Sequence, residues 1–156
     1  MMLTLVPYDQ QFLQKSREWL RDPEIRTLTR TPEFTDEQQQ AFFDSLPGRL
    51  DYRIFGLLYE GEAIGAAGLK HIDGEAAEYW GYIGEKALWG KSLGADIVFN
   101  LFEEGRRLGL TRLYLKVGSG NERAIGLYLK MGFQVTETYV DHLVMNILLG
   151  DTKCFR

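Results

Sequence analysis

A helix with both of its ends written in the sequence occupies residues 121–133, and no other stretch constrains the fold as much. Asn121 is a favoured N-cap, because its side-chain oxygen can accept from the free backbone N–H groups of a first turn. Ala124, Leu127, Tyr128 and Met131 recur at three- and four-residue spacing and share one face. Gly132 ends the pattern, since glycine enters the left-handed conformation at a helix C-terminus without steric cost. Phe133 then opens a strand. So short a helix with one apolar face is not stable alone and must pack on a layered partner.

The rest of the chain supplies that partner. Residues 3–6 read as a strand. Residues 9–20 read as a helix with Phe12, Leu13, Ser16, Trp19 and Leu20 on one face, broken by Asp22-Pro23. Thr35 with Gln38 forms a capping-box pattern for a helix running to residue 46. Residues 53–59, 63–71 and 77–83 read as strands joined by Glu60-Gly61 and Asp73-Gly74, which predicts an antiparallel meander. Residues 93–108 carry a stripe of Leu93, Ile97, Leu101 and Leu108, with Gly109 as the natural stop. Residues 113–117 read as a buried strand, and residues 134–139 and 143–149 as a final antiparallel pair. The predicted order is β-α-α-β-β-β-α-β-α-β-β. This is an α/β (α+β) class with seven strands and about four helices, read as one domain over residues 1–156.

Composition narrows the function. The chain is 45% hydrophobic and 26% charged, so it is neither disordered nor membrane-embedded. No apolar run approaches the roughly 20 residues that cross a bilayer, and the start lacks a basic segment followed by a long apolar one. The single cysteine, Cys154, cannot form an internal disulfide, which makes a reducing cytoplasm the default. A net charge of −4 argues against nucleic acid as the partner. That charge is uneven. Residues 85–130 carry eight Lys or Arg against five Asp or Glu, a window of +3, which leaves −7 for the rest. A polyphosphate would prefer the first region and a cationic amine the second.

The triplet Gly90-Lys91-Ser92 invites a P-loop reading. That pattern requires glycine at position 85, which is Glu85, with Gly84 one residue out of register. No magnesium-binding aspartate follows the strand at residues 113–117. The alternative needs no metal. Free N–H groups at a helix N-terminus, aided by the helix dipole, bind a pyrophosphate, with Gly90 and Gly94 admitting close approach and Lys91 adding charge.

The two stretches together resemble the GNAT superfamily of N-acetyltransferases, over essentially the whole chain. Asn121, Ala124, Leu127, Tyr128, Gly132 and Phe133 satisfy that family's pattern Asn-x-x-Ala-x-x-Leu-Tyr-x-x-x-Gly-Phe. The phosphate loop matches less well. It reads Trp89-Gly90-Lys91-Ser92-Leu93-Gly94-Ala95, with Ser92 where a glycine usually stands and Trp89 in place of an arginine. Gly81-Tyr82-Ile83 before the loop is similar to the branch of ribosomal-protein N-terminal, polyamine and amino-sugar acetyltransferases. The resemblance implies a mixed, mostly antiparallel seven-stranded sheet and acetyl-CoA as cosubstrate, with no metal. It places Trp89 to Ala95 at the pyrophosphate, Asn121 at the pantetheine arm and Tyr128 beside the sulfur. A backbone N–H within Tyr82-Ile83-Gly84 would polarise the acyl carbonyl.

The chemistry suits those residues. An amine attacks the thioester and a thiolate leaves. With a thiol pKa of about 8.5 and a tyrosine pKa of about 10, Tyr128 stays protonated at neutral pH and can share its proton with sulfur. The general base is open among Glu78, on the face shared with Trp80 and Tyr82, His71, His142 and a water chain. The position where other family members carry a base reads Lys116. Trp19, Arg26 and Phe34 are expected to shape the acceptor pocket, with Tyr79, Trp80 and Tyr82 as walls. The acceptor is a small amine, an amino sugar or a protein N-terminus. The protein would act as a monomer or as a homodimer through the last strands. A non-catalytic acyl-CoA sensor and a P-loop-like nucleotide-binding protein are the rival readings.

Overall fold

The computed structural model describes residues 2–151; Cys154 lies outside them. Seven strands form one sheet: β1 (Leu3–Pro7), β2 (Tyr52–Tyr59), β3 (Glu62–Lys70), β4 (Ala76–Ile83), β5 (Arg112–Gly118), β6 (Gln134–Thr138) and β7 (His142–Leu148), in spatial order β1-β2-β3-β4-β5-β7-β6. Every neighbouring pair is antiparallel except β4 and β5, which are parallel because a helix connects them.

Five α-helices accompany the sheet: α1 (Gln10–Leu20), α2 (Pro23–Thr29), α3 (Asp36–Ser45), α4 (Leu93–Arg107) and α5 (Glu122–Met131). That is one more than expected. Asp22-Pro23 does end α1, but it also starts α2. The Asp22 carboxylate accepts from Glu24 N–H, and Pro23 sits where a missing N–H costs nothing. The full capping box at Thr35 and Gln38 is present.

The turns follow two routes. Glu60 and Gly61 both take positive φ, +53° and +81°, as a two-residue hairpin of matching twist requires. Asp73 instead accepts from the N–H groups of Glu75 and Ala76, so β3 and β4 are joined by a longer Asx-type loop. Phe12 of α1 lies over Gly56, where a Cβ would sit 2.4 Å from its ring, so the first three helices cover that face of the sheet. The opposite face carries Leu57, Leu69, Ala77 and Leu113 against Ile97, Val98 and Leu101 of α4, and α5 packs beside it. Leu57, Leu69, Leu101, Leu113 and Met145 are essentially inaccessible, so truncating any one to alanine is worth about 2–5 kcal/mol.

Candidate active site

The site starts where β4 and β5 part. Their register holds for three pairs, Ala76↔Arg112, Ala77↔Leu113 and Glu78↔Tyr114, and then stops. Beyond it a cleft of 1210 Å³ opens, walled by Tyr79 to Ile83 on one side and Leu115 to Val117 on the other. Gly84 N–H donates to Ile64 O at 2.7 Å. By the alternation of an antiparallel ladder, Tyr82 also bonds toward β3, while Gly81 and Ile83 turn their backbone groups toward the cleft. Of the three residues expected to polarise an acyl carbonyl, only Ile83 presents a free N–H there. Its C=O is taken by the Trp89 indole at 2.8 Å.

The loop after β4 delivers the N-terminus of α4 to the same cleft. Gly90 has φ +82° and Ser92 φ +64°, so Ser92 adopts the left-handed conformation in which glycine is the usual residue. Its side chain makes no cap hydrogen bond, although serine is a residue type that often does. The N–H groups of Leu93, Gly94 and Ala95 consequently have no acceptor among the described residues. Three free donors on a positive helix end form a cradle that fits a pyrophosphate. Gly94 also has a packing role. A Cβ there would stand 2.8 Å from Leu127, so this glycine lets α5 approach α4. Trp89, Gly90, Ser92, Leu93, Gly94 and Ala95 all line the cleft, whereas the exposed Lys91 does not. Arg123 and Lys130 of α5 bring positive charge to the cleft instead.

α5 forms the far wall. Asn121 caps it through Ala124 N–H at 3.3 Å and lines the cleft as well. Gly132 closes it with φ +108°, and Phe133 N–H returns to Tyr128 O. This motif holds the Tyr128 ring between Tyr79 and Phe133, with centroids 6.0 and 5.7 Å away. Burial pushes the Tyr128 hydroxyl up to about 12, and it has no hydrogen-bond partner among the described residues.

Glu78 is buried at the inner end of the gap, within 3.8 Å of Lys70 Nζ and 3.9 Å of His71 Nε2. The partner for His71 was not apparent in the sequence, because the β3–β4 loop brings the two together. His142 does not join the site. It bonds Asp141 and stacks on Tyr139 away from the cleft. Glu78, Trp80 and Tyr82 face the α1–α3 layer. There Tyr8, Phe34, Phe42 and Tyr52 complete an aromatic pocket. Tyr8 and Tyr82 both donate to the buried Ser16 hydroxyl. The buried Trp80 indole N–H makes no well-formed hydrogen bond; Tyr52, its nearest hydroxyl neighbour, is driven upward in pKa by burial despite that N–H.

Of the three residues expected in the acceptor pocket, Phe34 is there. Trp19 and Arg26 are not. Trp19 is a strut: its indole donates to Glu85 at 2.6 Å and its ring fills the space a Cβ on Gly84 would take, 2.2 Å away. Arg26 caps carbonyls at Leu20 and Arg21.

The fold has counterparts among known proteins. The model of the acetyltransferase (GNAT) family matches residues 13–133. The human alpha/beta-tubulin-N-acetyltransferase 9 is 29% identical over 87% of this chain and 74% of its own length. The spermidine N-acetyltransferase of Vibrio cholerae, crystallised with CoA and spermine, superposes with a TM-score of 0.84 at 21% identity, covering 95% of this chain and 96% of that one. The N-acetyltransferase PseH of Campylobacter jejuni, crystallised with acetyl coenzyme A, gives 0.74 at 16% identity, covering 94% and 99%.

Proposed function

Since the chain belongs to the acetyltransferase (GNAT) family, and is an acyl-CoA-dependent acyltransferase, we propose that it moves an acetyl group from acetyl-CoA directly to one primary amine, with the whole chain serving as a single domain for that reaction in a cytoplasmic setting. The observation that carries this reading is the convergence, on one cleft, of the free N–H groups of α4, the partnerless Tyr128 hydroxyl and the buried Glu78. The pyrophosphate would lie on Leu93, Gly94 and Ala95, the arm would run past Asn121 between β4 and β5, and Ile83 N–H would face the acyl oxygen. Acetyl-CoA brings the acyl group activated as a thioester.

Glu78 takes a proton from the acceptor ammonium, and the neutral nitrogen attacks the carbonyl carbon. The C–S bond then breaks with its electrons on sulfur, Tyr128 gives sulfur its proton, and the cationic nitrogen of the adduct gives up its extra proton as the amide forms, which returns Tyr128 to its neutral form. His71, exposed on the rim, stands where the proton taken by Glu78 can leave to solvent.

Acceptor choice follows from the pocket. Aromatic faces around one carboxylate suit a single ammonium. Among the described residues, only Glu24 and Glu78 line the cleft as acids, and Arg30, Lys70 and Lys116 oppose them. This balance favours a small amine, an amino sugar or a protein N-terminus over a polycation.

The test has two parts. Acetyl-CoA at about 100 times its Kd should raise Tm by about 5–10 °C, and ATP with magnesium should not. Tyr128→Phe should lower kcat about tenfold or more with the acetyl-CoA shift intact. No shift with acetyl-CoA sinks the proposal. A shift without turnover on any amine supports the sensor reading, and a response to ATP with magnesium supports the nucleotide reading.

A further inference from the structure

The thioester end of the cleft holds one more side chain that the sequence motif does not include. Tyr79 is 4% exposed, yet its hydroxyl, like that of Tyr128, has no hydrogen-bond partner among the described residues. A buried tyrosine hydroxyl normally finds a partner. Here the buried Tyr79 and the half-buried Tyr128 lie with their rings in edge-to-face contact, 6.0 Å apart at their centroids, and both line the same open space.

The aim of the Tyr79 hydroxyl is set by Gly81. A Cβ built on Gly81 would stand 2.7 Å from the Tyr79 hydroxyl oxygen, 3.2 Å from Ile97 and 3.3 Å from Ala67. The hydroxyl therefore lies over Gly81 on the sheet face beneath α4, at a level where β4 has already left β5. Tyr79 is the first β4 residue past the last paired one, Glu78. It also points to the sheet face of α4 and α5, opposite Glu78, Trp80 and Tyr82. It can meet the coenzyme and not the acceptor amine.

We propose that Tyr79 is a second catalytic residue, whose hydroxyl joins that of Tyr128 in donating to the coenzyme sulfur as the thiolate departs. This rests on the acetyl-CoA reading above. When the C–S bond breaks, its electron pair goes to sulfur and Tyr128 transfers the proton that makes the thiol. Tyr79 keeps its own proton and only shares it. A thiolate has lone pairs for both hydroxyls, and donors already placed where charge develops need no rearrangement. Gly81 is then required because a side chain would occupy the position of the second donor.

Binding of CoA and of desulfo-CoA, measured by calorimetry, isolates the sulfur contact from turnover. Tyr79→Phe should shrink the preference for CoA over desulfo-CoA about fivefold or more, leave desulfo-CoA affinity within about twofold, and lower kcat about tenfold. Gly81→Ala should act in the same direction in the wild-type background and add little on top of Tyr79→Phe, which no longer carries the hydroxyl it displaces. An unchanged preference in a folded Tyr79→Phe protein overturns the role of Tyr79 and leaves the acetyl-CoA reading intact. Equal weakening of CoA and desulfo-CoA also overturns it, because packing alone would do that. If the wild-type protein binds neither compound, the acetyl-CoA reading falls and the Tyr79 role falls with it.

Discussion

At the scale of single residues, Glu78 and Ser92 show how position decides use. Glu78 is buried beside Lys70 and His71 at the point where two strands separate. If it accepts the ammonium proton, Glu78→Gln lowers kcat/KM about tenfold or more near neutral pH. The deficit should narrow toward pH 10, where a free amine loses its proton unaided. A pH profile of both proteins checks this; parallel profiles would point to water as the base. Ser92 stands in left-handed geometry, which costs a non-glycine residue about 1–2 kcal/mol. Ser92→Gly should raise Tm by about 2–4 °C in a thermal melt without altering the loop. Asn121 and Tyr128 were legible in the sequence because capping and helix spacing are local. The Glu78–His71 pair was not, since a loop of several residues folds one onto the other. Nor was the Tyr79–Gly81 fit, which depends on shape between alternate residues of one strand.

At the scale of elements, caps and stops were readable and contacts between elements were not. The capping box of α3, the Asn121 cap and the Gly132 stop all stand where the residue types place them. The helix at Pro23 was hidden because the same two residues end one helix and begin another. Trp19 looked like a pocket wall because it is a large aromatic on an amphipathic helix. Its indole instead ties α1 to Glu85, ahead of the loop that leads into α4, across a glycine that leaves it room. Trp19→Phe keeps the ring but removes a hydrogen bond to a carboxylate, worth about 1.5–3 kcal/mol. Thermal melts should show a Tm lower by roughly 4 °C or more. Titrations should show weaker acetyl-CoA binding with kcat at saturation unchanged.

At the scale of the whole molecule, five tyrosines line the cleft, one buried and four half-buried. Burial is the largest cause raising the pKa of Tyr8, Tyr52, Tyr79, Tyr82 and Tyr128, the last to about 12. An unfolded tyrosine ionises near 10. The folded state therefore holds these protons longer, and the stability they contribute is complete below about pH 10 and lost as pH rises beyond it. Melts between pH 8 and 11 should show Tm steady at first and then falling steeply, with tyrosinate absorbance appearing together with unfolding. The order of elements, the meander and the final antiparallel pair follow from turn residues and periodicity; the parting of β4 and β5 is not written in the residues of either strand. That parting leaves two unpaired strand edges in the middle of a sheet, where a stray strand from another chain would ordinarily add itself and seed aggregation. The chain guards against it on three sides. Helices roof both faces, and the Trp89 indole covers the carbonyl of Ile83 at the mouth. What remains passable is a slot for something thinner than a polypeptide with side chains. The same walls that narrow the slot thus also shield its two strand edges from another chain.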